Sequence, residues 1–399
     1  MVRALIPIYV LTLIDAIGNM VMIPLLPYIA QRFGATGLQV GALLAIMAAA
    51  STVMAPVWGA VSDKIGRKPV VQISQLISLI GYLAVAWAPT LPLLFVARAV
   101  AGIGGGNIGV TQSYIADVTD DEHRDRAFAA FGVVFGIGIV LGPITGGFLV
   151  QFGFWVPFCV AAAIQTINMM LTWRFLPATN SATMGVEFDI RTAAKSAWVD
   201  ARIRSLIVRH FLFIFAVTYF FSIFALYVKH ALHFGPQRAS ILLASAGLVG
   251  GIALVVVVGP LARRFGDAIV AQVGFALNLI AYSLLVFARD SWTFLAVLVV
   301  WAIGASCIEP TISALLSESV PQGTRGATLG YNDAMSSLAL MAAPLLGGLV
   351  IDRGLTIVGV LPGAAVLAAF VIGIVRHKED ASLATGVGRR TAAEPAAPA

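Results

Sequence analysis

The sequence predicts an all-α polytopic membrane protein, with twelve transmembrane helices arranged as two pseudo-symmetric six-helix bundles. Three observations lead there. Of the 399 residues, 59% are hydrophobic and only 11% charged, more apolar surface than a soluble core of this size can bury. Apolar runs of about 20 residues, the length that crosses the hydrocarbon of a bilayer, follow one another with short gaps. Three short motifs of the first half return in the second, in the same order and about 200 positions later.

The apolar runs place helices at 4–30, 38–61, 69–90, 92–118, 128–150 and 154–176, then at 205–231, 240–262, 268–288, 291–319, 328–351 and 355–376. The first is too long for a signal peptide and carries Asp15 and Pro24, so it reads as a retained span. The domain reading is an N-terminal bundle over 1–176, a polar linker over 177–204, a C-terminal bundle over 205–376 and a disordered tail over 377–399. Lys and Arg set the orientation. With Arg98 set aside as intramembrane, 19 fall on the side of the termini and 5 on the other, which predicts that both ends are cytoplasmic.

The repeats pair GAVSDKIGRKPV at 59–70 with GPLARRFGDAIV at 259–270, AGIGGGNIGVTQS with WAIGASCIEPTIS, and GPITGGFLV with APLLGGLV. Paired half-repeats in a polytopic chain are a building plan of secondary transporters. In the loop after the second helix, Gly59 and Gly66 suit a close approach and a tight turn, while Asp63 fits poorly with a purely topological basic loop. In the fifth helix Gly138, Gly142, Gly146 and Gly147 surround Pro143, several of them four apart, as in helices that pack closely.

GAVSDKIGRKPV resembles the signature loop of the major facilitator superfamily. The stretch from Tyr114 to Gly147 and LIDAIGNMVMIPLLP at 13–27 are similar to its tetracycline-efflux, drug:proton antiporter branch. The resemblance implies that Asp63, Arg67 and Asp117 form a charge cluster that holds the outward-facing state and breaks when the halves rock. It also implies that GPITGG is an antiporter signature, hence export. The likeness has gaps. Gln72, Gln75, Ser78 and Tyr82 are the polar residues where that branch has a helix 3 acid, and its helix 8 histidine and helix 9 acid have no counterparts, which argues against tetracycline itself.

Ionisable groups inside a membrane helix are costly, on the order of 3 kcal/mol at its centre, so each is a functional candidate. Asp15, Arg98 and Glu309 are the candidates for proton coupling, and Arg98 resembles the family's helix 4 basic residue. The pocket expected between the halves is lined by Asn19, Met22, Tyr219, Ser222, Gln272, Asn278 and Glu309. Aromatic bulk with an acid suits an amphipathic, cationic molecule. Asp333 reads as interfacial.

Enzymatic chemistry is disfavoured. His123, His210, His230, His233 and His377 sit at loops or helix ends without zinc spacing, and GGGNIG follows no strand, so it is no nucleotide site. Neither Cys159 nor Cys307 suggests a disulfide or a metal. No cofactor is expected. The net charge of +6 is explained by topology, so no nucleic-acid partner is expected. The reading is therefore a monomeric proton-driven exporter in the lipid bilayer; a nutrient importer and a non-transporting sensor on the same fold are the alternatives.

Overall fold

The computed structural model describes residues 2–176, 198, 200–320 and 325–391. Eleven of its helices are long and apolar enough to cross a membrane, and a twelfth, Val360–Arg376, is a shorter apolar helix. The described residues contain no strand. The segment 177–197, most of the expected linker, and residues 392–399 of the expected tail lie outside the described residues.

Local chemistry decides where helices begin and break. The first span divides into α1 (Val2–Met22) and α2 (Leu26–Arg32), because Pro24 cannot donate to the helical ladder. Span two is α3 (Gly37–Ile65), started by a capping box in which the Thr36 hydroxyl accepts from Gln39 N and the Gln39 side chain accepts from Thr36 N. Then come α4 (Arg67–Ala86), α5 (Leu91–Gly105), α6 (Ile108–Asp117), α7 (Asp121–Leu149) and α8 (Val156–Phe175). The α5–α6 break falls at the Gly106–Asn107 end of the glycine run.

The second half starts at α9 (Ala201–Leu232), whose N-cap Asp200 accepts from Arg202 N and Ile203 N. The last residues assigned to the linker are therefore helical. A π-helical turn, Leu254–Val258, separates α10 (Pro236–Ala253) from α11 (Gly259–Phe265). Next are α12 (Asp267–Leu284), α13 (Ser291–Ser319), α14 (Arg325–Ile351) and α15 (Val360–Thr391). At the start of α13, bonds from the Thr293 hydroxyl and from the Thr293 and Trp292 amides hold the Asp290 carboxyl below its usual range. The helical backbone of α15 runs through 377–391, where a disordered tail is expected; HKEDASLA is rich in good helix formers.

The duplication is visible in the backbone. Gly66 has φ 93° and ψ 157°, and Gly266, 200 positions on, has φ 82° and ψ 155°. Gly153 and Gly354 form a second pair, at φ 130°, ψ 149° and φ 140°, ψ 151°. This region of backbone space is open essentially to glycine alone. A Cβ on Gly266 would meet nothing within 4 Å, so Gly266→Ala isolates the backbone cost. A destabilisation of about 1–3 kcal/mol is expected, read as a lowered unfolding midpoint of the purified protein.

Each bundle has its own packing. In the first, α1 lies on α7 and α8, and α4 on α5 and α8; in the second, α9 lies on α14 and α15, and α12 on α13 and α15. The halves meet chiefly where α3 lies on α14 and α7 on α10, with lesser contact of α9 on α2 and α3. We call the face where α1 begins the terminal face. Tyr9 Oη donates to Ala127 O there, and Lys68 Nζ donates to Trp173 O in the last turn of α8, where a cation is favourable.

At the opposite face the halves are clasped. Asp352 Oδ1 and Oδ2 accept from Gly37 N (2.8 Å) and Leu38 N (3.0 Å), Tyr28 Oη donates to Phe234 O (2.9 Å), and Lys229 Nζ donates to Gln31 Oε1. Gly37 lies against the main chain of Gly348, and Gly41 against that of Pro344. Toward the terminal face the seam parts. A Cβ at Gly147 would strike Ser240, whereas one at Gly136 or Gly132 of the same helix would meet nothing within 4 Å.

Candidate functional site

Between the halves lies a cavity of about 370 Å³, within the range of small-molecule sites. Early residues of α1 and α7 (Ile8, Leu11, Phe131, Phe135) line it, so it reaches toward the terminal face where the seam is parted. Its walls are mostly apolar, with Thr218, Phe221 and Ser222 from α9 and Leu340 and Pro344 from α14. The polar groups come mainly from the first bundle, among them Asp15, Asn19, Gln75, Arg98, Asn107 and Asn168.

Asp15 and Asn19 are neighbours one turn apart on α1, both half-buried, and Asn19 Nδ2 donates to Asp15 O (3.0 Å). Arg98 is 3% exposed. Its Nη1 donates to Met22 Sδ (3.2 Å) and its Nη2 to Met47 Sδ, both weak acceptors, while Nε has no partner. Among the described residues no carboxylate stands within ion-pair distance of this guanidinium. The Tyr82 hydroxyl, which interacts electrostatically with Asp15 and Arg98, is also buried and unpartnered. Buried polar atoms are satisfied in the great majority of native structures, so orphaned donors here mark a place for water or a ligand.

The residues expected at the pocket divide accordingly. Asp15, Asn19, Arg98 and Ser222 line the cavity, and Met22 supports Arg98 from behind. Tyr219 is fully buried beside Gly347, and its main-chain oxygen accepts from Ser222 Oγ (2.7 Å). Gln272 and Asn278 stand elsewhere. Gln272 is held inside the second bundle by Arg209 Nη2 (2.9 Å) and Phe370 O (3.1 Å). Asn278, 1% exposed, pairs with Trp301 O and Ala305 N on α13. Both point to the interior of their own bundle because polar groups in an apolar core take the nearest partners.

Glu309 also lies outside the cavity. Its side chain is half exposed and faces His210 Nε2 at 3.3 Å. His210 is not at a helix end, as its place in the sequence suggests; it is ten residues into α9 and 6% exposed. Its Nδ1 lies 3.0 Å from Asn332 Oδ1 and 3.4 Å from Ser336 Oγ. Met47, Gln75, Asn107 and Asn168 of the cavity wall, and Tyr82 beside it, are contributors that the sequence reading did not assign to the pocket.

The charge cluster forms inside one bundle. Arg67 Nη1 donates to Asp63 Oδ1 (2.6 Å) and to Ser62 Oγ, and Nε donates to Asp117 Oδ2 (3.2 Å), joining α3, α4 and α6. It is intact in this structure, with the seam parted at this face. All of its members belong to the first bundle. Gly66 makes the tight turn, but Gly59 is within α3 and has open space around it, so no close approach requires it.

The glycines of α7 are packing surfaces. A Cβ at Gly138 or Gly142 would collide with Ala16 or Met20 of α1, one at Gly146 would lie 2.8 Å from Val21 O, and Gly147 faces Ser240 across the seam. Pro143 sits inside α7 between them. Contact at this range lets dispersion hold helices together where lipid offers no hydrophobic drive.

Two repeated helix bundles around a cavity with intramembrane charges define the class of secondary transporters. The family model of the Major Facilitator Superfamily matches residues 8–267 and 209–397, and the chain belongs to that superfamily. It is similar to the class H tetracycline resistance protein of Pasteurella multocida, 27% identical over 86% of this chain and 88% of the relative. It is also similar to the quinolone resistance protein NorA of Staphylococcus aureus (strain COL), 23% identical over 92% and 95%. Among solved structures the nucleoside transporter NupG superposes with a TM-score of 0.73 at 15% identity, covering 92% of this chain and 98% of that one. This last likeness concerns the fold alone.

Proposed function

We propose that this Major Facilitator Superfamily transporter exports small amphipathic molecules in exchange for protons. The observation that carries the reading is the cavity in the seam, lined by Asp15, by Arg98 with no carboxylate at ion-pair distance, and by Phe131, Phe135 and Phe221. Relatives named for resistance to tetracycline and quinolone support efflux. Asp15 is the proton-carrying acid of the cavity, Glu309 the acid through which the second bundle exchanges protons, and Arg98 the fixed cation that meets an ionised group of the cargo. A molecule enters from the terminal face, which the bias of Lys and Arg makes cytoplasmic. The bundles then rock, closing that face and opening the clasp of Asp352 with Gly37 and Leu38.

Substrate-dependent proton flux in proteoliposomes tests this across lipophilic cations, aromatic acids and tetracyclines. Asp15→Asn is expected to reduce the coupled flux to that of empty liposomes. Coupled flux equal to that of the wild type in Asp15→Asn would remove Asp15 from the reading.

A further inference from the structure

The second bundle carries a buried imidazole with an oxygen acceptor at each nitrogen. His210 Nδ1 faces Asn332 Oδ1 at 3.0 Å, and Nε2 faces both Glu309 oxygens at 3.3 and 3.4 Å. A neutral imidazole has one donor and one acceptor; only the protonated ring donates on both sides. We propose that His210, held between Glu309 and Asn332, is a second proton-binding site of the transporter, and that its charged form ties α9, α13 and α14 together at the mouth of the cavity.

Placement supports the assignment. On α14, Asn332, Ser336, Leu340 and Pro344 recur every four residues and so share a face, and the last two line the cavity. On α9, His210 and the cavity residue Phe221 are eleven positions apart, about three turns, and again share a face. The cluster thus continues the cavity walls toward the terminal face. The groups around His210 are Glu309 on α13, and Asn332, Ser336 and the nearby Asp333 on α14. Its neighbour Arg209 turns away to α12, toward Gln272 and the ring of Phe275.

The step balances simply. The proton on Nε2 passes to the Glu309 carboxylate, breaking the N–H bond and forming an O–H bond, and the half-exposed carboxyl then releases it to water. Loss of that proton turns one ring nitrogen into an acceptor facing another acceptor, so the three-helix tie loosens. Loading the site firms the second bundle at this face; emptying it frees α14, the helix that meets α3 across the seam. The inference rests on the proton-coupled reading above.

The test is nitrogen NMR of histidine-labelled protein in lipid nanodiscs. The His210 signal is identified among the five histidines by its loss in His210→Gln. The expected result is a His210 titration midpoint that moves by about one pH unit or more in Glu309→Gln, the effect of removing an opposite charge at this range. Asn332→Asp, which adds a carboxylate at the other nitrogen, should move it in the opposite sense, and it serves if Glu309→Gln fails to fold. The pH profile of transport should shift in His210→Gln. Unmoved midpoints in both Glu309→Gln and Asn332→Asp overturn the proposal, as does a pH profile unchanged in His210→Gln. If the wild type shows no coupled flux with any compound, the export reading fails, while the titrations still decide the pairing.

Discussion

Gly41→Val is expected to hold the two bundles apart at the opposite face. A Cβ there would overlap the Pro344 carbonyl and approach Leu345 Cα at 3.3 Å, so no side-chain rotation gives relief and α3 must move off α14. Overpacking of this kind costs about 1–3 kcal/mol. Between two packings of comparable energy, that is a shift of about 5–150-fold in population. The helix contacts within each bundle are left as they are, so the variant should fold. Spin labels at Phe33 and Arg353, both exposed at that face, should report a longer distance in Gly41→Val than in the parent. An unchanged distance distribution would mean that the seam tolerates the branch and that its closeness is incidental.

Arg98→Gln is expected to separate acidic cargo from neutral cargo. The guanidinium now rests on two thioethers with Nε unpartnered, a poor environment for a buried cation and a good one for an arriving anion. A hydrogen bond to a charged group contributes about 1.5–3 kcal/mol, so affinity should fall roughly 10–100-fold for a ligand that uses it. The measurement is direct binding of a matched aromatic pair, 1-naphthoate and 1-naphthylmethanol. The acid should lose affinity and the alcohol should not. Arg98→Lys should recover only part of the loss, because an ammonium lacks the planar fork. Equal losses for both probes would show that Arg98 shapes the cavity without reading charge. The cationic cargo expected from Glu309 among aromatic residues rests on an acid that lies outside the cavity, and takes no account of this fixed positive group.

The fold was legible because the bilayer imposes it. Apolar length, the charge bias and glycines 200 positions apart each report a constraint that acts along the chain, and the matched dihedrals of Gly66 and Gly266 answer the repeat. The cavity was only partly legible. Asp15 and Arg98 announce themselves, since a charge in an apolar run has to face something other than lipid. Met47 looks like any other apolar residue; only the fold reveals that its sulfur faces a guanidinium. Gln272 and Asn278 misled for the converse reason: a polar side chain in a span has to find a partner, and the nearest partner here is structural. His210 stands in plain sight in IVRHFLF, but its significance depends on two other helices that arrive about 100 and 120 residues later.

The clasp at the opposite face joins one carboxylate to two main-chain amides. Main-chain donors are supplied by every residue type except proline, so substitution disturbs this contact chiefly at Asp352 and at Gly37, where a Cβ would strike the carboxylate. Leu38, whose side chain is exposed, can drift freely and still donate its N–H. Of the contacts that close this face, the Asp352 pair thus rests on one acidic side chain and on the absence of a side chain at Gly37, whereas the Tyr28 and Lys229 bonds each need a particular side chain of their own.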